Sequence, residues 1–502
     1  MAEQSGQGAL KNLRELPSNV RRSVGALAVP VTRRERAQAV AGNFFLHVFP
    51  VKTHVNSLRP AYTLGLGMIT LFLFLILTAT GIVLMVYYAP STEFAYEDMK
   101  TIIYVVPFGR LLRNMHRWAA HGMVLAVLLH MARVFYTESY AKGRAFNWVV
   151  GMILFVLTLV LSYTGYLLPW DQLAYWAATI GANIAGSARE VTDGLGVTAW
   201  FDPGGMIREL VVGGSSIHQG ALTRFYLLHI MVVPIVTAIL IGLHLWRVRK
   251  DGGLTRPERP AEPQAGPEPA KTYGLMAYVR DRGRHREASP DDTVLTWPTT
   301  AYANLFLFMF TMLVLLALSH WFDGPLKTPA NPAVPENPAK APWYFLGLQE
   351  LVSFSAFMGG VGIPTIVLAG LLLVPYVDRE ERSVGVWFSG RDGGRVALTS
   401  AAFGLVAVIG VEAFAIGVGW LRDFFPRIPQ IVITVFNPGT VITGLFMLWS
   451  VAVVRWTRST RLGAISLFSC FLVAFVVLSV IGVHFRGPNW VFYWSPGQWP
   501  LH

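Results

Sequence analysis

Nine apolar stretches constrain this chain more than any other feature. They run over residues 62–88, 123–136, 149–168, 225–245, 301–318, 362–377, 396–419, 441–454 and 462–483. Several exceed the roughly 20 residues needed to cross a bilayer, and the shorter ones extend through mixed flanking sequence. The pattern predicts an all-α polytopic membrane protein with about nine transmembrane helices. With 53% hydrophobic residues, 14% charged residues and a mean hydropathy of +0.47, the composition fits a membrane protein better than a soluble one.

A net charge of +12 raises the question of nucleic acid. Its distribution answers it. With the N-terminus cytoplasmic, segments 1–61, 137–147, 247–298, 378–397 and 455–461, with their helix ends, hold roughly 29 of the 41 Lys and Arg residues. This is the positive-inside pattern, and no nucleic-acid partner is expected. The first 61 residues carry no short apolar core, so no cleavable signal is expected. An odd number of spans puts the C-terminus outside. The expected location is a bacterial cytoplasmic membrane. Cys470 is the only cysteine, and no CxxCH stretch is present, so neither an internal disulfide nor a c-type haem attachment is expected.

Residues 251–298 are rich in Pro, Gly and charge and read as a cytoplasmic linker. The expected organisation is a basic segment over 1–61, a four-helix unit over 62–250, the linker, a second unit over 299–421 and a two-helix extension over 422–502. Residues 169–221 and 321–350 form long outer loops, of the kind that are more often functional than idle.

Histidines interrupt the second apolar run in "HRWAAHGMVLAVLLH". Polar groups at membrane depth are expensive and usually mark function. His116 and His130 are 14 residues apart, which places them on nearly one helix face about 21 Å from each other. His229 and His244, 15 apart, repeat the arrangement on the fourth helix. Gly67 and Gly81 on the first helix, and Gly151 and Gly165 on the third, are again 14 apart and leave room for something flat. Four neighbouring helices thus offer two layers, each with two imidazoles and two clearances. That suits two non-covalent, bis-histidine haems, with His116, His229, His130 and His244 as iron ligands. Packing histidines and helix-contact glycines are the alternative, since small residues are common where membrane helices meet. Hydrolytic zinc needs three or four clustered ligands, which pairs 21 Å apart do not supply. His121, on another face, reads as a hydrogen-bonded core residue.

The stretches "RNMHRWAAHGMVLAVLLHMARVF", "GYLLPWDQLAYWA" and "LTRFYLLH…GLHLWRVRK" resemble cytochrome b of the quinol–cytochrome c oxidoreductases. The resemblance is strong over 55–250, fair over 290–380 and weak after 420. The 15-residue spacing is similar to the photosynthetic branch, with its separate subunit IV here fused through the linker. The resemblance implies a four-helix di-haem bundle plus about five further transmembrane helices. It also implies a low-potential haem b on His116 and His229 near the outer side and a high-potential haem b on His130 and His244 near the cytoplasm. Arg113, Arg117 and Arg249 match basic positions near haem propionates; ordinary helix-end cations are the alternative.

Two positions depart from the family. The photosynthetic branch carries a haem-linking cysteine where Gly65 stands here, so no third haem is expected. Its Pro-Glu-Trp-Tyr motif appears as Ala341-Pro342-Trp343-Tyr344, without the glutamate. Seven residues put Glu350 on nearly the same helix face as Trp343. Glu350 is therefore expected to take the quinol proton, with Tyr344 hydrogen-bonding the quinol and Asp171 or water as the fallback acceptor. A solvated residue at a helix end is the plainer reading of Glu350.

The resemblance further implies quinol oxidation at an outer pocket lined by 169–180 and 341–350. One electron would pass to a Rieske iron–sulfur protein and the other through both haems to a quinone near the cytoplasmic side, coupled to proton translocation. A cytochrome c subunit, with one haem or several, and a dimer of the complex are the further partners implied. Which quinone is used, menaquinone types included, stays open, as does respiratory or photosynthetic context. A di-haem anchor for a quinone-linked dehydrogenase would leave "PWDQ" and "APWYF" unexplained. A transporter or scaffold without redox work would be colourless when purified.

Overall fold

A computed structural model of the chain describes residues 15–18, 20, 52–141, 143–214, 216–251, 293–378, 380 and 384–500. The expected basic N-terminal segment and the expected linker lie largely outside the described residues. Among those residues, nine helices are long and apolar enough to cross a membrane, as in a multi-pass membrane protein. Numbered in chain order with two shorter helices included, they are α1 (Leu66–Val86), α2 (Gly109–Tyr136), α3 (Ala145–Tyr166), α4 (Gln172–Gly186), α5 (Gln219–Asp251), α6 (Pro298–Trp321), α7 (Trp343–Phe354), α8 (Met358–Val377), α9 (Arg391–Gly417), α10 (Pro438–Thr457) and α11 (Thr460–Val480). Helices α4 and α7 are the short ones, and both lie in the long loops singled out from sequence.

The helix ends follow their local chemistry. Asp171 caps α4, Asn437 caps α10 with Pro438 in the first turn, and Ser459 caps α11; each side chain accepts from a backbone amide that the helix leaves unpaired. In α5 and α8 a π turn lies just before a proline. Leu228–Val232 precedes Pro234 in α5, and Met358–Gly362 precedes Pro364 in α8. Proline has no amide to give to the carbonyl four residues back, and the wider π turn absorbs that loss.

Helix α1 packs on α2, α3 on α5 and α2 on both α3 and α6, while α9, α10 and α11 form a group onto which α7 packs. Contacts of the 321–350 segment and of the chain's tail gather at one end. Asn114 donates to the Ser319 carbonyl at 3.0 Å, Lys340 to the Val483 carbonyl at 2.8 Å, and Asn337 to Asn489 at 2.8 Å. At the other end Arg461, fully buried, donates to the Tyr140 hydroxyl and the Phe135 carbonyl, both at 2.6 Å, and lies 3.5 Å from Asp378. A buried guanidinium needs such partners, and these join α11 to the end of α2. At that end Tyr62 also donates to the Gly385 carbonyl. A two-stranded antiparallel ribbon, β1 (Lys52–His54) with β2 (Thr293–Leu295), pairs Thr53 with Val294.

Candidate functional site

His116 on α2 faces His229 on α5, with ring centres 6.1 Å apart. An imidazole nitrogen reaches a metal at about 2 Å and its ring centre lies roughly 1.1 Å further back, so two rings on one ion stand about 6.2 Å apart. The hydrogen bonds set the tautomers. His229 Nδ1 lies 3.0 Å from the Leu161 carbonyl, which can only accept, so Nδ1 carries the hydrogen and Nε2 the lone pair. His116 Nδ1 lies 2.9 Å from Thr80 Oγ1, whose own hydrogen goes to the Ile76 carbonyl. Nδ1 therefore donates there too, and Nε2 is again left to ligate. Metal-bound histidines are oriented by this kind of outer bond.

The π turn explains the unequal spacing. It holds His229, and a π turn adds one residue to a helix without adding a full step of rise. Fifteen residues on α5 thereby match fourteen on α2, and His244 returns to the depth of His130.

Each of the four glycines faces one of the four histidines. A Cβ placed on Gly165 would lie 2.4 Å from His229 Cε1, and one on Gly81 would lie 3.2 Å from His116 Cε1. On Gly67 it would lie 3.4 Å from His130 Cε1, and on Gly151 3.5 Å from His244 Cε1. The two layers therefore have the same construction, about 21 Å apart by helical rise. Among the described residues no three His, Cys, Asp or Glu side chains gather as a multidentate metal site would require. The donor set fits two bis-histidine haems.

The basic residues divide. Arg113 is buried and donates to the Gly324 and Pro325 carbonyls at 2.7 and 2.9 Å, so it fastens the 321–350 segment to α2 as well as carrying charge beside His116. Arg117 lies beside Tyr166 of α3. Arg249 stands in the last turn of α5, beyond His244. Sequence reading passed over Arg247, buried and paired with Asp251 at 2.7 Å; its placement four residues before an acid was the available signal.

The expected quinol-site residues all have partners within the chain. Glu350 is neither a solvated helix end nor an open acceptor. It is fully buried, and both its oxygens accept from Arg486, with Nε at 2.9 and 3.0 Å, while Trp490 Nε1 donates to Oε2 at 2.9 Å. Asp171 is also committed. One oxygen caps α4 through the Ala174 amide and the other accepts from the Lys327 amide, both at 2.8 Å. Tyr344 is buried, its hydroxyl bonds to Ser162, and burial holds its phenol above the usual range. The residue that sequence reading set aside is the one beside it. His121 accepts from Trp343 Nε1 at 3.1 Å, and its ring centre lies 5.7 Å from that of Tyr344.

A sequence model of the family described as cytochrome b/b6/petB matches residues 51–252. Cytochrome b6 of Heliobacterium mobile is 41% identical over 197 residues, which cover 38% of this chain and 87% of that protein. The chain belongs to the cytochrome b/b6 family. Cytochrome b6 of Synechococcus sp. (strain JA-3-3Ab) is 42% identical over 187 residues, 37% of this chain and 81% of that relative. Membership implies b haems. Beyond the matched segment the fold itself is shared. A chain of a structure titled "Hyperthermophilic respiratory Complex III" superposes over 84% of this chain and 91% of its own length, with a TM-score of 0.54 at 22% identity. Gly65 adopts φ +62°, and a side chain there would be strained and would meet Leu307 at 3.0 Å.

Proposed function

We propose that this chain is the cytochrome b subunit of a quinol–cytochrome c reductase, with His116 and His229 holding the outer haem and His130 and His244 the cytoplasmic one. The observation that carries the proposal is the doubled layer, in which two histidines face each other and each is faced by a glycine. Bound there, two b haems supply one-electron relays across the membrane.

The chain's own residues do the rest. Leu161 and Thr80 orient the outer histidines, and Arg113 and Arg117 place positive charge at the outer layer. Helix α7 brings Trp343 and Tyr344 against α2, five residues beyond His116, where a quinol would be oxidised. With a single cysteine the chain has no ligand set for an iron–sulfur cluster, so a Rieske protein and a cytochrome c subunit complete the reaction in a dimeric complex. Residues 62–250 act as the di-haem unit, 299–421 as the quinol-site unit and 422–502 as an extension. Quinone is reduced on the cytoplasmic side, and protons leave outside.

The test is a ligand series in the purified complex. His116→Leu or His229→Leu removes the low-potential b signal, and His130→Leu or His244→Leu removes the high-potential one. Loss of the same signal from all four variants would refute the two-layer assignment.

A further inference from the structure

The family's glutamate is missing, and the two carboxylates that the sequence offers in its place are engaged elsewhere. Glu350 is held by Arg486 and Trp490, and Asp171 by two backbone amides. A quinol losing electrons in a pocket of low polarity still needs a base within hydrogen-bond reach of its hydroxyl.

His121 meets that requirement. It lies on α2, one and a half turns from His116 toward the cytoplasm, and is half-buried between the rings of Trp118 at 5.5 Å and Tyr344 at 5.7 Å. Its Nδ1 accepts from Trp343, and an indole N–H can only donate, so Nδ1 carries the lone pair and Nε2 the hydrogen. A donor from the "APWY" segment therefore already occupies the nitrogen that a quinol hydroxyl would use. The charged and titratable groups around it are Arg117 on α2, one turn back, Tyr344 from α7 and Tyr166 from α3, which lies beside Arg117.

We infer that His121 is the catalytic base of quinol oxidation in this chain, an inference that rests on the quinol-oxidising reading above. The quinol hydroxyl takes the place of the indole N–H at Nδ1. Its O–H bond breaks, an N–H bond forms and the ring becomes an imidazolium, while the second proton goes to water. The two electrons would go one each to the iron–sulfur partner and to a haem held by His116 and His229. The imidazolium then gives its proton to water, which restores the base.

The test uses the whole complex and follows b-haem reduction by a short-chain naphthoquinol or benzoquinol in stopped flow across pH. The wild-type rate falls on the acid side as one base is protonated. His121→Gln keeps an acceptor for the indole but no basic nitrogen. It is expected to slow reduction at least about 100-fold and to remove the acid limb, with both haem spectra and potentials unchanged. Trp343→Phe is expected to move the acid limb to higher pH, because the indole N–H favours the unprotonated ring. A His121→Gln complex with the wild-type pH profile overturns the inference and leaves the quinol reading standing. So does one that loses a haem, since the residue would then only support the haem layer. A wild-type complex whose haems neither quinol reduces refutes the quinol reading itself.

Discussion

Glu350 and Arg486, 136 residues apart, meet in a buried ion pair that ties the helix carrying Trp343 to the chain beyond the last span. Glu412 of α9 stands 3.9 Å from the same guanidinium, and neither of its oxygens has a hydrogen-bond partner among the described residues. One cation thus serves two carboxylates. Removing one partner of a buried pair costs more than the pair contributes, because the other charge is stranded.

Arg486→Leu strands both acids and is expected to destabilise the haem-loaded protein by about 3–5 kcal/mol. Glu350→Gln leaves acceptors for Arg486 and Trp490 and leaves Glu412 to balance the charge, so its cost stays below about 2 kcal/mol. Thermal melting of the two variants should show that order. Equal losses would mean that Glu412 does not share the arginine. Because Glu350 is a structural partner here, Glu350→Gln should also keep the wild-type pH profile of quinol oxidation.

The glycine clearances are graded, and substitution should follow the grade. Gly165→Ala puts a methyl 2.4 Å from a ring held by Leu161 and is expected to abolish the outer haem. Gly81→Ala, at 3.2 Å, should weaken it, whereas Gly151→Ala, at 3.5 Å, makes an ordinary contact with its histidine. Haem content by reduced-minus-oxidised difference spectra checks the order. Full outer-haem occupancy in Gly165→Ala would remove the reason for that glycine.

Asp171 acts through backbone amides. Asp171→Ala loses the α4 cap and the Lys327 contact and should cost about 1–3 kcal/mol, while Asp171→Asn keeps the cap at lower cost. Both should retain the wild-type pH dependence of b-haem reduction. A shifted acid limb in Asp171→Asn would return this carboxylate to the proton path.

The spans and the histidine layers were legible because helical period and bilayer thickness turn sequence spacing into depth and face. Residues 14 apart on one apolar helix have few other arrangements available. The extra residue on α5 was legible as a number but not as a π turn, since Pro234 weakens a helix without stating how the chain adjusts. The partners of the quinol-site carboxylates were not legible, for a different reason. Spacing puts Glu350 on the face of Trp343, but its partner comes from residue 486, and no local pattern reports a contact across 136 residues. His121 is hydrogen-bonded, as expected from its face of α2, but its donor lies 222 residues away and spacing could not name it.

The central claim is two non-covalent b haems on four histidines. Haem-to-protein stoichiometry by pyridine haemochrome, measured before and after acid–acetone extraction of the purified chain, tests it most directly. The account predicts two b haems per chain, all of them extracted. One haem per chain, or haem that stays with the polypeptide, would contradict it.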